Sequence, residues 1–97
     1  MSHCGPKYLN VNCEVFGSSP THLAQGFENG IVKLYDAAKN YEIIKTFDNL
    51  KTKISFVDVN EKYMVFGSKW KNNSIRIYDI DKQTLGNFKS DLIYRFV

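Results

Sequence analysis

An internal repeat is the feature of this 97-residue sequence that most restricts its fold. Tyr35-Asp36 recurs as Tyr78-Asp79, 43 residues later, and the same interval separates Asn29 from Asn72. A fixed period of this length indicates copies of one supersecondary unit, each burying its apolar face against a neighbouring copy. The chain is therefore expected to be built from stacked repeats.

The interior of each repeat has the pattern of short β-strands. Residues 31–35 and 74–78 are rich in β-branched and aromatic side chains, which favour strands. In the second segment Ile75 and Ile77 fall on one face and Arg76 on the other, as in a half-buried strand. No helical periodicity is present. The predicted strands lie near residues 8–16, 22–27, 31–36, 41–47, 53–58, 62–68, 74–80 and 83–88, with a ninth starting near 92.

A hairpin signal separates two of the predicted strands in each repeat. Asn29-Gly30 in the first repeat predicts a type I′ turn, because that turn needs positive φ at both central residues. Asn72-Asn73 takes the same place in the second repeat, where asparagine tolerates the geometry next best after glycine.

The strand spacing and the period together select one architecture. Eight or nine short strands also fit a sandwich or a barrel, but neither explains identical dipeptides at a fixed interval. Propeller blades of four strands repeat every ~40–45 residues. The sequence thus predicts an all-β chain with two four-stranded antiparallel blades of a β-propeller, in an incomplete ring. Its predicted parts are a lead-in and first strand (1–12), blade 1 (8–47), blade 2 (48–88) and the start of a third blade (89–97).

Several motifs recur at fixed places in these repeats. Each repeat ends in Tyr-Asp, at Tyr35-Asp36 and Tyr78-Asp79, residues 26–30 read Gly-x-x-Asn-Gly, and Asp48-Asn49 opens the second repeat. Over roughly residues 13–97 the chain resembles the WD-repeat family, whose blades have Trp-Asp, Gly-x-x-Asp-Gly and Gly-His at these places. The resemblance implies that both tyrosines pack in the core or between blades. The family's buried Asp–His–Ser/Thr–Trp network is not expected, because asparagine and tyrosine stand in its places.

A second set of motifs narrows the resemblance. Residues 49–55 read Asn-Leu-x-Thr-x-Ile-Ser, the turn within 67–76 is long and contains lysine, and Asn87-Phe88 follows the last strand. These motifs are similar to a WD-repeat subunit of the U3 small-nucleolar particle, although that family often has Ser-Asn-Trp-Pro where this chain has residues 86–89, Gly-Asn-Phe-Lys. The likeness implies a role in small-subunit ribosomal RNA processing, other protein subunits as partners, and a nucleolar or nuclear location. Without it, a cytoplasmic location is expected.

The lack of a targeting segment and the cysteines of the sequence indicate the cellular compartment in which the protein is expected. No run approaches the ~18 apolar residues of a membrane span, and the start lacks the apolar core of a signal peptide. We therefore expect an intracellular protein with no membrane partner. Cys4 and Cys13 are then expected to be free thiols, although their spacing of nine residues also permits a disulfide.

No pattern of reactive side chains indicates catalysis. The sequence has neither a nucleophile elbow nor a phosphate-binding glycine loop, and His3 and His22 stand in no recognisable triad order. Together with the two cysteines they form no Cys-x-x-Cys metal signature. The prediction is that the chain is not an enzyme and has no cofactor and no metal.

The charge pattern gives only weak attraction to polyanions. The formal net charge is +3, its lysines are scattered, and they outnumber arginines eleven to two. Arginine is the usual residue for bidentate phosphate or guanine contacts, so dedicated nucleic-acid readout is disfavoured.

The turn at residues 69–73 is the most distinctive element outside the repeat pattern. It is two residues longer than its counterpart in the first repeat and carries the only tryptophan. The WD-repeat resemblance implies that it lies on the same ring face as the segment linking the blades. Trp70 either anchors a partner, packs over the blade edge, or stacks on an RNA base with lysines on the phosphates. The predicted partner-binding residues are Asn49, Leu50, Lys51, Lys53, Lys69, Trp70 and Lys71.

Two blades do not make a ring, which takes about four to eight. The chain is either a segment of a longer propeller, a contributor to a ring whose remaining blades come in trans, or a unit that associates with its own copies. The predicted function is a non-catalytic interaction scaffold in a multi-subunit complex, and the chain alone is not expected to be a stable monomer. The alternative is a direct RNA-binding surface centred on the Trp70 turn.

Overall fold

The computed structural model describes residues 13–71 and 74–87, which form eight β-strands and no α-helix. The strands are β1 (Val15–Ser18), β2 (His22–Gly26), β3 (Val32–Asp36), β4 (Glu42–Phe47), β5 (Phe56–Val59), β6 (Tyr63–Gly67), β7 (Arg76–Asp79) and β8 (Thr84–Asn87). A short 3-10 turn, Ala37–Lys39, joins β3 to β4.

The strands form two antiparallel sheets, ordered β1-β2-β3-β4 and β5-β6-β7-β8. The prediction of an all-β chain with two four-stranded, blade-like sheets is confirmed, and we call the sheets blade 1 and blade 2. The first predicted strand, 8–16, begins only at Val15 within the described residues. Residues 1–12 and the predicted third blade at 89–97 lie outside them.

The two Tyr-Asp pairs occupy equivalent places in the backbone register, although the β2 and β6 residues opposite them recur after 41 residues and not after 43. In blade 1 Tyr35 lies opposite Leu23, and in blade 2 Tyr78 lies opposite Met64 at the corresponding place. Both tyrosine side chains are buried, with exposed fractions of 6% and 2%. The two repeats therefore place their tyrosines equivalently, as the sequence predicted.

The aspartate of each Tyr-Asp pair stabilises the turn that follows. Asp36 Oδ1 accepts a hydrogen bond from the backbone N–H of Ala38 at 2.9 Å, and Asp79 Oδ1 accepts one from the N–H of Lys82 at 3.0 Å. A carboxylate in this position satisfies backbone donors that the turn leaves unpaired. The repeated dipeptide thus supplies one core side chain and one turn cap.

One apolar core lies between the two sheets. The Phe47 ring has its centroid 5.6 Å from that of Phe66 and 4.9 Å from that of Tyr78, in tilted and edge-on arrangements that aromatic rings favour. The sheets approach closely where β1 meets β5, since a Cβ on Gly17 would lie 2.8 Å from Asp58 Cα. The core consists of Ala24, Val32, Leu34, Phe47, Leu50, Ile54, Val57, Val59, Met64, Phe66 and Tyr78.

The hairpin at Asn29-Gly30 differs from the predicted type I′ turn. Gly30 has φ of 91°, but Asn29 is not among the residues with positive φ. Gly30 N–H donates to Phe27 O at 3.1 Å, and Phe27 N–H donates to Ile31 O at 2.9 Å. This is a three-residue loop that ends in a left-handed glycine, an arrangement that needs positive φ at only one position.

The prediction that Cys13 is a free thiol is wrong, because Cys13 is disulfide-bonded, and Cys4 lies outside the described residues. The sequence spacing permitted either state. Whether a sulfur reaches bonding distance of another depends on the path of the backbone, which spacing alone does not give.

Candidate functional site

The linker between the blades lies beside the hairpin turns of both blades. Ile54 N–H donates to Phe27 O at 3.2 Å, joining the linker to the β2–β3 turn. Lys71 Nζ donates to Leu50 O, also at 3.2 Å, joining the linker to the β6–β7 turn. We call this surface the linker face, made of residues 27–31, 48–55 and 68–71. It brings the predicted partner-binding segments together.

Three serines hold the backbone of the β6–β7 turn. Ser74 Oγ donates to Ser68 O at 2.6 Å and accepts from Ser68 N–H at 3.0 Å. Ser55 Oγ accepts from Lys69 N–H at 2.9 Å, and Ser68 Oγ accepts from Trp70 N–H at 3.1 Å. Since Lys71 N–H also donates to Ser68 O at 3.4 Å, the backbone on both sides of the Trp70 side chain is held by hydrogen bonds. Ser55 closes the Asn-Leu-x-Thr-x-Ile-Ser motif, but the role of all three serines depends on contacts across the turn and with the linker that the sequence does not show.

Trp70 points outward from this turn. Its side chain is 64% exposed, so the alternative in which the ring packs over the blade edge is not what the structure shows. Lys69 Nζ lies 4.9 Å from the centroid of the Trp70 ring, within the range of a cation–π interaction. The turn therefore offers a large aromatic surface with a positive charge beside it.

The lysines of the linker face differ in whether they pair with a carboxylate. Lys51 Nζ pairs with Asp48 at 2.7 Å, and Lys53 Nζ lies 3.5 Å from Glu14. Within residues 13–71 and 74–87, Lys69 and Lys71 form no ion pair with a carboxylate. The excess positive charge of this surface is thus concentrated beside Trp70.

Leu50 does not belong to the predicted contact surface. Its side chain is 1% exposed and is part of the core between the sheets, so its inclusion among the partner-binding side chains does not fit the structure. The linker turns Leu50 inward because the space between two sheets has to be filled with apolar side chains. Asn49, Lys51 and Lys53 are exposed beside it.

Blade 1 contains a buried polar pair that the sequence analysis missed. The Tyr35 hydroxyl donates to Gln25 Oε1 at 2.8 Å, and Gln25 is fully buried. Burial raises the pKa of the Tyr35 hydroxyl, in keeping with a protonated hydroxyl that donates to Gln25. Asn29 and Asn49, which stand in two places of the family's network, are exposed and do not form it, and Asn72 lies outside the described residues. Nothing in the sequence around Gln25 indicates that its side chain pairs with Tyr35.

A cleft of about 410 Å³ lies at the opposite end of the blades. Asn60 Oδ1 there accepts from the N–H groups of Lys62 and Tyr63, both at 2.8 Å, so this polar atom serves its own turn. The cleft is lined by Ser19, Pro20, Thr21, Asn60, Glu61, Lys62 and Tyr63.

Residues 13–71 and 74–87 contain no group of three or more His, Cys, Asp or Glu residues suited to hold a metal ion. In the same ranges no helix has the length and apolarity needed to cross a bilayer.

No protein-family model matches this chain, and no curated protein matches it.

Proposed function

We propose that this chain is a non-catalytic WD-repeat propeller segment that serves as a protein-interaction scaffold in a multi-subunit complex, with the linker face as its docking surface. The observation that carries the proposal is the exposure of Trp70, 64% of whose side chain is accessible on a turn held by serine hydrogen bonds. Tryptophan is enriched among the residues that dominate binding energy. A fixed backbone also lowers the entropy lost when such a residue is immobilised in an interface.

The surroundings of Trp70 support a protein partner. Asn49, Lys51 and Lys53 are exposed on the same face, which gives an apolar anchor with a polar margin, the usual anatomy of a protein interface. A complementary partner has an apolar pocket for the indole and acidic residues at its edge, facing Lys69 and Lys71.

The narrower sequence likeness supports a specific setting for this scaffold. It favours a complex that processes small-subunit ribosomal RNA, in the nucleolus or nucleus, with protein subunits as neighbours and further blades supplied by the rest of a longer chain or in trans. Outside that setting, the proposal is a cytoplasmic scaffold.

Direct RNA binding is the second candidate, and one observation favours it. Lys69 and Lys71 flank an exposed indole and form no carboxylate ion pair within the described residues. Aromatic rings that stack on bases beside cations that contact phosphates are typical of single-strand binding surfaces.

The scaffold proposal is tested by replacing the anchor. Protein partners are recovered by affinity purification with the wild-type chain, and their affinities are measured for Trp70→Ala and for Lys82→Ala, a control in the β7–β8 turn at the other end of β7. We expect Trp70→Ala to change the free energy of unfolding by less than about 0.5 kcal/mol, because the side chain is exposed. Partner affinity should fall roughly 30-fold or more. Unchanged affinity in Trp70→Ala would contradict the proposal.

A salt titration separates the RNA candidate from the scaffold. A short polyuridine RNA is titrated with the wild type and with the double variant Lys69→Ala/Lys71→Ala. If both lysines contact phosphates, the slope of log K against log salt should decrease in magnitude by roughly 1.4, at about 0.7 per phosphate for a single strand. The scaffold proposal predicts weak RNA binding that the double variant leaves unchanged.

A further inference from the structure

Among the described residues, strand β4 is an edge of blade 1 with no further strand beside it. It is last in the sheet order β1-β2-β3-β4, and residues 42–46 are all exposed. An edge strand presents a row of unpaired N–H and C=O groups that can pair with another extended strand. The backbone of β4 can therefore hydrogen-bond to one further β-strand.

The composition of β4 favours pairing with an identical strand. The six residues Glu42–Phe47 read Glu-Ile-Ile-Lys-Thr-Phe, with no glycine or proline and with charges that cancel. High β-propensity and low net charge characterise segments that pair with their own copies. The outer edge of blade 2 differs, because β8 contains Gly86 and Asn87, which are poor strand residues.

Two details leave the isoleucines of β4 available at this edge. Ile43 and Ile44 are 48% and 41% exposed, and Ile44 has no register partner on β3 because the pairing shifts at this point. A lysine on an edge strand normally opposes pairing with another strand. Lys45 Nζ, however, lies 5.7 Å from the ring centroid of Phe47 and 5.6 Å from that of Tyr78. Its charge is directed back over the blade interface.

We propose that β4 pairs antiparallel with β4 of a second copy of this chain, about a two-fold axis at Ile44, so that blade 1 of each copy joins one continuous sheet. A two-fold axis perpendicular to an antiparallel pair sets one residue opposite itself. At Ile44 it sets Ile43 opposite Lys45 and Glu42 opposite Thr46, so no like charges face each other. An axis at Lys45 would oppose two lysines.

This dimer uses a surface separate from the docking surface proposed above. The new pair forms along the outer edge of blade 1, whereas the linker face is built from the β2–β3 turn, the linker and the β6–β7 turn. Loss of the dimer and loss of partner binding through Trp70 are therefore independent outcomes.

The wild-type full chain provides the first test. Sedimentation velocity is measured over a concentration series, together with hydrogen–deuterium exchange of peptides covering residues 42–47 and 84–87. We expect a monomer–dimer equilibrium in which protection of 42–47 rises with concentration while that of 84–87 does not change. A monomer at all concentrations, a dimer with concentration-independent exchange in 42–47, or protection that rises in 84–87 instead would each overturn the proposal.

A matched pair of edge variants provides the second test. Ile44→Lys introduces a charge at the centre of the proposed pair, and Gly86→Lys introduces the same charge on β8, where an added Cβ meets no atom within 4 Å. Circular dichroism establishes that each variant is folded. Ile44→Lys should weaken dimerisation roughly tenfold or more, and Gly86→Lys should leave it unchanged. Equal effects of the two variants would refute pairing through β4, and if Ile44→Lys does not fold, the exchange experiment on the wild type decides.

Discussion

Tyr35 and Tyr78 occupy equivalent places in their blades and are held by different interactions. The Tyr35 hydroxyl donates to Gln25 Oε1 at 2.8 Å, whereas the Tyr78 ring packs edge-on against Phe47. Burial raises the pKa of both hydroxyls, and for Tyr78 the neighbouring Asp79 carboxylate adds to this effect. The same residue type at the same register position thus contributes a hydrogen bond in one blade and aromatic packing in the other.

Removing each tyrosine hydroxyl should separate these contributions. Tyr35→Phe leaves Gln25 Oε1 without this donor in a buried environment, so we expect the free energy of unfolding to fall by about 1–2 kcal/mol. Tyr78→Phe keeps the ring contacts and should lower the free energy of unfolding by less than about 0.5 kcal/mol. Urea unfolding of both variants measures the difference. Equal losses would show that the bond to Gln25 contributes nothing specific.

At the scale of the element, both turns that lead into the outer strands share an unusual backbone conformation. Tyr41 precedes β4 with φ of 58°, and Gln83 precedes β8 with φ of 56°. Few residues other than glycine and asparagine adopt this region readily. Each turn is capped by the aspartate of its Tyr-Asp pair. The sequence shows the aspartates as a repeat, but the left-handed residue is not evident from its identity.

The β2–β3 turn and the linker are in close contact at Gly30. This residue has φ of 91°, and an added Cβ would lie 2.7 Å from Thr52 N. We expect Gly30→Ala to lower the free energy of unfolding by about 1–3 kcal/mol, because alanine is strained in this conformation and the linker backbone would have to shift. Gly86→Ala is the control, since Gly86 has φ outside the left-handed region and open space for a Cβ. Thermal melts compare the variants, and equal melting temperatures would contradict this account.

At the scale of the whole molecule, the two blades are expected to unfold as one unit because they share a core. Leu50 and Ile54, both from the linker, are 1% and 0% exposed within that core. Leu50→Ala should therefore cost about 2–5 kcal/mol and weaken both sheets, whereas the exposed neighbour Asn49→Ala should cost less than about 0.5 kcal/mol.

Hydrogen exchange of β2 and β6 in the Leu50→Ala chain measures whether the blades are coupled. Both strands should lose protection together, in a single transition. A loss confined to one blade would show that the sheets are stabilised separately. This prediction also tests the assignment of Leu50 to the core instead of to the partner surface.

The fold class was accessible from sequence because its signals are local. Alternation of side chains, strand-favouring residues and turn residues are set by a few neighbouring positions, and the period between Tyr35 and Tyr78 requires only that one pattern occurs twice. These features predicted two four-stranded antiparallel sheets, as the structure shows, whereas the burial of the two tyrosines was expected only from the family resemblance.

The candidate site was predicted in outline, and its details were decided by tertiary structure. The sequence located the Trp70 turn and the linker, but only the packing of the two sheets turns Leu50 inward. The contact of Ser55 with Lys69 N–H, 14 residues apart in the chain, helps to fix the turn that leaves Trp70 exposed. Burial and hydrogen bonding depend on residues that are distant in the chain and close in space, as with Gln25 and Tyr35. Local sequence pattern identifies strands and turns. Which side chains stay exposed for a partner is decided only when the two sheets pack together.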